Sequence, residues 1–201
     1  MNDPVKVTDQ KYIELKEVAL RKTGILSQST RILVGTATCG RAAGAAGVLN
    51  TFREEISKRQ VDAEVIEVGC LGHCYAEPMV IIAKAGHPSL CYGNVDEGIA
   101  ARLVSDFLVD DDPCYEFAMA ALEPNDFFPT FADYPRGVYE QKIILRDCGL
   151  INPEDIDQYI ALDGYGGLAK ALNTGPAAVI NEIKASKMRG RGGAGFPTGK
   201  K

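Results

Sequence analysis

Tyr12, Leu15, Val18 and Ala19 recur at helical spacing, and Thr23-Gly24 supplies a stop, so the pattern predicts a helix over residues 9–23. The run Arg31-Ile32-Leu33-Val34-Gly35 predicts a buried strand. From about Ala42 to Lys58, Ala45, Leu49, Phe52 and Ile56 fall on one face and predict a second helix. Ala63 to Val68, rich in Val and Ile, predicts a second strand. Met79–Ala83 and Leu90–Tyr92 predict a hairpin around Ala85-Gly86-His87-Pro88. Ile99, Leu103 and Phe107 form the stripe of a helix over residues 96–108. The order strand, helix, strand, strand, strand, helix implies an α/β fold. Its first crossover is expected to be parallel and right-handed, and its hairpin antiparallel.

The pattern then changes. Residues 110–141 hold Pro113, Pro124, Pro129 and Pro135, which discourage long elements, together with Tyr115, Phe117, Phe127, Phe128, Phe131, Tyr134 and Tyr139. So many aromatics are unlike a disordered linker and predict an extended arm that packs against something. Ile143-Ile144-Leu145 reads as a strand. Asn152-Pro153-Glu154-Asp155 reads as a helix start, and residues from Pro176 to about Lys187 as a further helix, with Val179, Ile180 and Ile183 inward. No internal repeat is visible.

With 46% hydrophobic and 24% charged residues in 201, the chain is able to bury a core of one or two domains. A net charge of −5 argues against general nucleic-acid binding, but the charge is unevenly placed. Asp106, Asp110, Asp111, Asp112, Glu116, Glu123, Asp126 and Asp133 lie between Arg102 and Arg136 with no basic residue among them. From Lys184 to Lys201, by contrast, there are six basic residues and no acid, which marks an anion site or a partner surface. No segment approaches the roughly 18 consecutive apolar residues of a membrane span, and the N-terminus lacks the pattern of a secretory signal. A cytoplasmic setting is expected, which makes the six cysteines thiols or metal ligands rather than disulfides.

Cys39 follows the first predicted strand, and Cys70 and Cys74, spaced C-x3-C, follow the second. Both loops are expected at the carboxyl ends of parallel strands, where three sulfurs are able to converge. Sulfur ligands beside glycines suit an iron–sulfur cluster. Structural zinc on Cys39, Cys70, His73 and Cys74, or three incidental buried thiols, remain open on spacing alone. The two histidines, His73 and His87, lie in loops without a triad-like partner, and solvent exposure is the simpler expectation for His73. The second chemical signal is Gly190-Arg191-Gly192-Gly193-Ala194-Gly195-Phe196-Pro197-Thr198-Gly199, flanked by Arg189, Lys200 and Lys201. Glycines let backbone N–H groups approach an anion, and the Arg191 fork offers it paired donors.

The expected mixed sheet is thioredoxin-like in plan. Residues of about 30–108 resemble the thioredoxin-like 2Fe-2S ferredoxin domain of the small NADH-dehydrogenase subunit of complex I, which also occurs fused ahead of flavoprotein subunits of NAD-linked hydrogenases and formate dehydrogenases. Cys39, Cys70 and Cys74 match the second, third and fourth cysteines of its C-x4-C and C-x3-C pattern. The first falls on Val34, which cannot bind iron. The resemblance therefore implies a replacement ligand, a labile cluster or a lost one, with Cys91 the nearest replacement along the sequence and a buried core thiol the simpler role for it.

Residues of about 142–201 resemble the start of the NADH- and FMN-binding flavoprotein subunit shared by complex I, NAD-linked hydrogenases and electron-bifurcating enzymes. The resemblance is carried by Ile144-Leu145-Arg146-Asp147-Cys148-Gly149-Leu150-Ile151, by Gly164-Tyr165-Gly166-Gly167-Leu168-Ala169-Lys170-Ala171-Leu172, and by the glycine-rich word. It implies that Gly190, Arg191, Gly192 and Gly193 line FMN, with Lys201 near it. The division it suggests is a helical segment at 1–28, a ferredoxin domain at 29–109, the acidic and aromatic arm at 110–141, and the mostly helical start of an FMN/NADH-binding domain at 142–201.

The function implied is electron transfer between NAD(H), FMN and iron–sulfur centres in a multisubunit complex. Ferredoxin-like, hydrogenase, formate dehydrogenase or reductase subunits are the expected partners. The alternative is a cluster-less docking module of such a complex. Because the chain stops inside the glycine-rich word, a fragment or split subunit is expected, without a complete active site or a catalytic acid or base of its own.

Overall fold

The computed structural model describes residues 9–23, 29–135 and 137–201. In chain order these form α1 (Asp9–Thr23), β1 (Thr30–Gly35), α2 (Thr38–Ala42), α3 (Ala45–Arg59), β2 (Ala63–Val68), β3 (Val80–Ala83), β4 (Leu90–Tyr92) and α4 (Glu97–Arg102). There follow β5 (Ala118–Ala121), α5 (Ile156–Ala161), α6 (Gly166–Thr174) and α7 (Pro176–Ala185). The chain divides into two compact units, residues 26–155 and residues 1–25 with 156–201.

The first unit is built on a five-stranded sheet of order β2-β1-β3-β4-β5. β1 and β2 pair in parallel with Ile32 opposite Val65, while β3, β4 and β5 are added antiparallel. This is the mixed α/β plan that the hydrophobic pattern predicts. Alternation along β1 assigns its side chains to two cores, as the period-two pleat requires. Ile32 and Val34 join Val48, Leu49 and Phe52 of α3 and the fully buried Leu103, Val104 and Phe107. Leu33 joins Ile66, Val68, Met79, Ile81 and Cys91 in the other.

Helix boundaries are set by backbone geometry that periodicity does not see. The predicted second helix is two: α2 ends at Ala42, and Gly44, at φ 105°, turns the chain into α3. The helix after β4 opens with the Asp96 carboxylate accepting from Ile99 N at 2.8 Å, then widens into a π-helical turn over Leu103–Val109.

The aromatic arm packs on the sheet and supplies its edge strand. Ala118-Met119-Ala120-Ala121 has weak strand propensity, but small side chains fit beside β4. A Cβ on Gly93 would collide with Met119 Sδ, so the strand approaches against a glycine. Tyr115 and Phe128 stack at 5.4 Å, and Asn125 Oδ1 accepts from both Phe127 N and Phe128 N at 2.8 Å. The expected strand at Ile143–Leu145 does not form. These residues lie in a bend and turn with Ile144 94% exposed. A three-residue apolar run brings no pairing partner of its own, and the edge beside β4 is held by β5.

The second unit is helical. Ala19 of α1 packs with Ile160 and Ala161 of α5, and Tyr12 Oη donates to Gly164 O at 2.8 Å. α7 begins at Pro176 as its sequence predicts. The Asn152 word gives a turn instead: Asn152 Oδ1 accepts from Glu154 N at 3.0 Å, and α5 starts only at Ile156. Among the described residues no helix is long and apolar enough to cross a membrane.

Candidate metal centre

The end of β1 is tied on both sides, Gly35 N donating to Met79 O at 2.9 Å and Thr36 N to Val68 O at 3.0 Å. The chain then turns directly into α2, whose second residue is Cys39. The parallel neighbour β2 ends at the same level and opens into the loop carrying Cys70 and Cys74. Gly72, at φ 93°, supplies a left-handed turn there that a side chain would strain, and its N–H donates to Cys70 Sγ at 3.2 Å. The Cys148-Gly149 turn backs the loop. Gly149, at φ 80°, leaves no room for a Cβ beside Leu71, and Lys142 Nζ donates to Leu71 O at 3.3 Å.

The Sγ atoms of Cys39, Cys70 and Cys74 consequently lie within 4.8 Å of one another, and those of Cys70 and Cys74 are 3.6 Å apart. Cys39 and Cys70 are half-buried and Cys74 exposed. Burial first, then the hydrogen bond with Cys70, holds the Cys39 thiol above its ordinary range. Burial also raises the Cys70 thiol, against the Gly72 N–H, which favours the thiolate. Three converging soft donors with a backbone N–H on sulfur fit an iron–sulfur group or zinc.

The other sequence candidates are placed elsewhere. His73 is buried, not exposed. Its ring stacks on Phe131 at 4.7 Å and its Nδ1 lies 3.3 Å from Tyr75 Oη, so the ring serves packing rather than the sulfur cluster. Cys91 is fully buried in β4, where desolvation pushes its thiol up to about 12. Cys114 is buried in the other core and pushed up to about 11, again chiefly by burial. Val34 is fully buried against the α3 side of the sheet. A residue that the sequence pattern did not single out stands beside the cysteines instead. Glu77 is 7% exposed, its Oε1 accepts from Cys39 Sγ at 3.6 Å and its Oε2 from Met79 N at 2.8 Å. Its only sequence signal was a charged residue just ahead of a buried strand.

These environments separate the thiols by reactivity, since the thiolate is the nucleophile. In metal-free native protein alkylated at pH 8, Cys74 should be modified fastest, and Cys91 and Cys114 only after denaturation. Peptide mass spectrometry over a time course checks this, and early labelling of Cys91 would contradict its placement.

In the second unit the glycine-rich word forms an open loop closed at its base. Gly190 N donates to Phe196 O at 2.8 Å and Thr198 N to Met188 O at 2.9 Å. Gly193 and Gly195 take φ of 100° and 59°, and Met188, Arg189, Gly190, Arg191 and Gly195 line a cleft of about 510 Å³. Gly192 has open space around it, and Lys201 is exposed.

No family model matches the chain. Among curated proteins, the NADP-reducing hydrogenase subunit HndB of Solidesulfovibrio fructosivorans is 34% identical over 85 residues, which make up 42% of this chain and 68% of HndB. The chain belongs to the HndB family. It is also 62% identical over 58 residues to the NADP-reducing hydrogenase subunit HndC of the same organism, spanning 29% of this chain and only 12% of HndC. To an NADH-quinone oxidoreductase subunit of Aquifex aeolicus it is 56% identical over 46 residues, which make up 23% of this chain and 11% of that protein. Outside the HndB family, the chain thus spans only a small part of these relatives. A solved thioredoxin-like [2Fe-2S] ferredoxin from Aquifex aeolicus aligns with 47% of this chain and 99% of its own, at 17% identity and a TM-score of 0.41.

Proposed function

We propose that this chain is an electron-transfer polypeptide of a cytoplasmic, multisubunit NAD(P)(H)-linked oxidoreductase, with Cys39, Cys70 and Cys74 as ligands of a 2Fe-2S cluster. The observation that carries the reading is the convergence of three sulfurs, one from α2 and two from the loop after β2, within 4.8 Å. In this reading residues 29–109 bear the cluster and residues 142–201 begin a flavin-binding domain. Membership of the HndB family and the local likeness to HndC and to the NADH-quinone oxidoreductase chain support a hydrogenase or NADH-dehydrogenase type of complex.

When bound, FMN couples hydride exchange with NAD(H) to single-electron transfer, and a 2Fe-2S cluster carries the single electrons. The chain's own residues hold and shield these groups. The Cys70–Cys74 loop presents sulfurs near the surface, where an electron partner is able to approach. The N–H of Gly72, already on Cys70 Sγ, disperses negative charge from that sulfur and so favours the reduced state. In the second unit, Gly190, Arg191, Gly192 and Gly193 offer backbone N–H groups and a guanidinium to the FMN phosphate, with Lys201 as a further cation.

The competing reading is a cluster-less docking module. It is favoured by Val34 at the missing ligand position and by the exposed Ile143, Ile144 and Leu145. Anaerobic purification followed by iron and sulfide analysis, with EPR of the dithionite-reduced protein, decides between them. About two irons per chain and a reducible signal are expected. Folded protein without iron or sulfide would overturn the redox reading in favour of docking.

A further inference from the structure

We propose that Glu77 is the fourth ligand of the cluster, its carboxylate replacing the thiolate that Val34 cannot provide. This rests on the reading that Cys39, Cys70 and Cys74 hold a 2Fe-2S group, which takes four protein ligands. Among the described residues the other side chains of suitable chemistry are committed elsewhere. Cys91 and Cys114 lie in the two cores, and the His73 ring stacks on Phe131. Cys148, on the turn behind the Cys70 loop, is not among the sulfurs that converge.

The Glu77 carboxylate is placed unusually. The residue is only 7% exposed, forms no ion pair among the described residues, and accepts one thiol and one backbone N–H. A buried carboxylate without a cation is unfavourable, and such groups are normally paired or metal-bound. The slot it occupies is kept open by glycines. A Cβ on Gly35, the residue after Val34, would stand 3.1 Å from Oε2, and one on Gly40, the residue after Cys39, 3.2 Å from it. The carboxylate therefore reaches the same end of β1 at which the family pattern has its first cysteine.

The donors also lie at ligand spacing, the three sulfurs standing within 4.8 Å of one another. Cys70 Sγ and Cys74 Sγ are 3.6 Å apart, and so are Cys39 Sγ and Glu77 Oε1. Tetrahedral coordination with metal–sulfur bonds of about 2.3 Å places neighbouring ligand atoms about 3.7 Å apart. The carboxylate thus stands at ligand distance from Cys39 just as Cys74 does from Cys70. Three thiolates and one carboxylate bring the same total anionic charge as four thiolates. Loading releases the thiol protons to solvent, and with the Cys39 proton gone Oε1 is free to bind.

The test compares the anaerobically purified full chain with its Glu77→Ala, Glu77→Gln and Glu77→Cys variants. It reads iron and sulfide per folded chain, the visible spectrum and the EPR signal after dithionite reduction, with circular dichroism to confirm folding. Glu77→Ala and Glu77→Gln should lose most of the iron. Glu77→Cys should restore about two irons, with a spectrum and g values shifted from those of the wild type. If the alanine variant does not fold, glutamine, which keeps an acceptor for Met79 N–H, gives the answer. Wild-type iron and an unaltered signal in the glutamine variant would overturn the assignment. So would a cysteine variant that fails to recover iron, since a residue acting only through Cys39 would not be rescued by a new thiolate. Loss of iron in Cys148→Ser with none in Glu77→Gln would assign the position to Cys148. A wild-type chain without iron or sulfide would instead overturn the cluster reading itself.

Discussion

Replacing Cys70 with serine should take the anaerobically purified chain from about two irons to nearly none and abolish its reduced-state EPR signal, while the fold is kept. Cys70 Sγ lies 3.6 Å from that of Cys74 and receives the Gly72 N–H at 3.2 Å, so it is the sulfur most directly held by both its loop and its neighbour. Serine keeps the shape but supplies a harder and far less acidic donor, which iron in a sulfide cluster binds poorly. The loop survives because its turn is made by Gly72 at φ 93° and by the Ala76 N–His73 O hydrogen bond of 2.9 Å, neither of which needs the thiol. Cys114→Ser is the matched control. It buries a hydroxyl in the core at about 1–3 kcal/mol and leaves iron untouched. Full iron in the Cys70 variant would refute the ligand assignment.

Phe107→Ala should destabilise the sheet-bearing unit by about 3–5 kcal/mol, as large a stability effect as a single core truncation gives. Its ring is fully buried between the sheet and α3, with the His87 ring edge-on at 5.1 Å and Lys84 Nζ 5.3 Å from its centroid. The π-helical turn presents Leu103, Val104 and Phe107 to one core, so neighbouring side chains cannot collapse into the gap without shifting that turn. Against a total of roughly 5–15 kcal/mol this is a large share. With a urea m-value of about 1–3 kcal/mol/M, the midpoint should fall by about 1 M or more. Phe127→Ala, at a position 75% exposed, should stay within about 0.5 kcal/mol of wild type. Equal midpoints for the two variants would mean that the core is not where the structure places it.

The elements with strong periodicity were legible from sequence. β1, β2 and the β3–β4 hairpin fall where apolar runs and turn residues put them, and α1, α3 and α7 span the residues their periodicity marks, although Leu15 and Val18 of α1 and Ile180 of α7 are exposed. The three cysteines were legible too, because strand ends bring loops together in a parallel pair. β5 was not. Ala118–Ala121 forms a strand through its pairing with β4, a partner distant in sequence, and four small side chains give no pattern of their own. Ile143–Leu145 failed in the opposite sense, since an apolar triplet signals burial only if an edge or a core is there to receive it. The Asn152 word failed because its side chain bonds two residues ahead and closes a turn before a helix begins.

What the sequence by itself determined is the type of chemistry: soft donors at C-x3-C with a third thiol after a strand, and a glycine-rich anion loop. Residue type and local spacing are written directly in the chain. What only the tertiary structure decided is which groups stand together. Cys91 and Cys114 were withdrawn into cores, His73 onto Phe131, and Glu77 was brought beside Cys39. That placement depends on the register by which β1 sits between β2 and β3, and on the two glycines that leave a slot for a carboxylate. Contacts between residues 38 positions apart are fixed by strand pairing and packing, which no local pattern encodes.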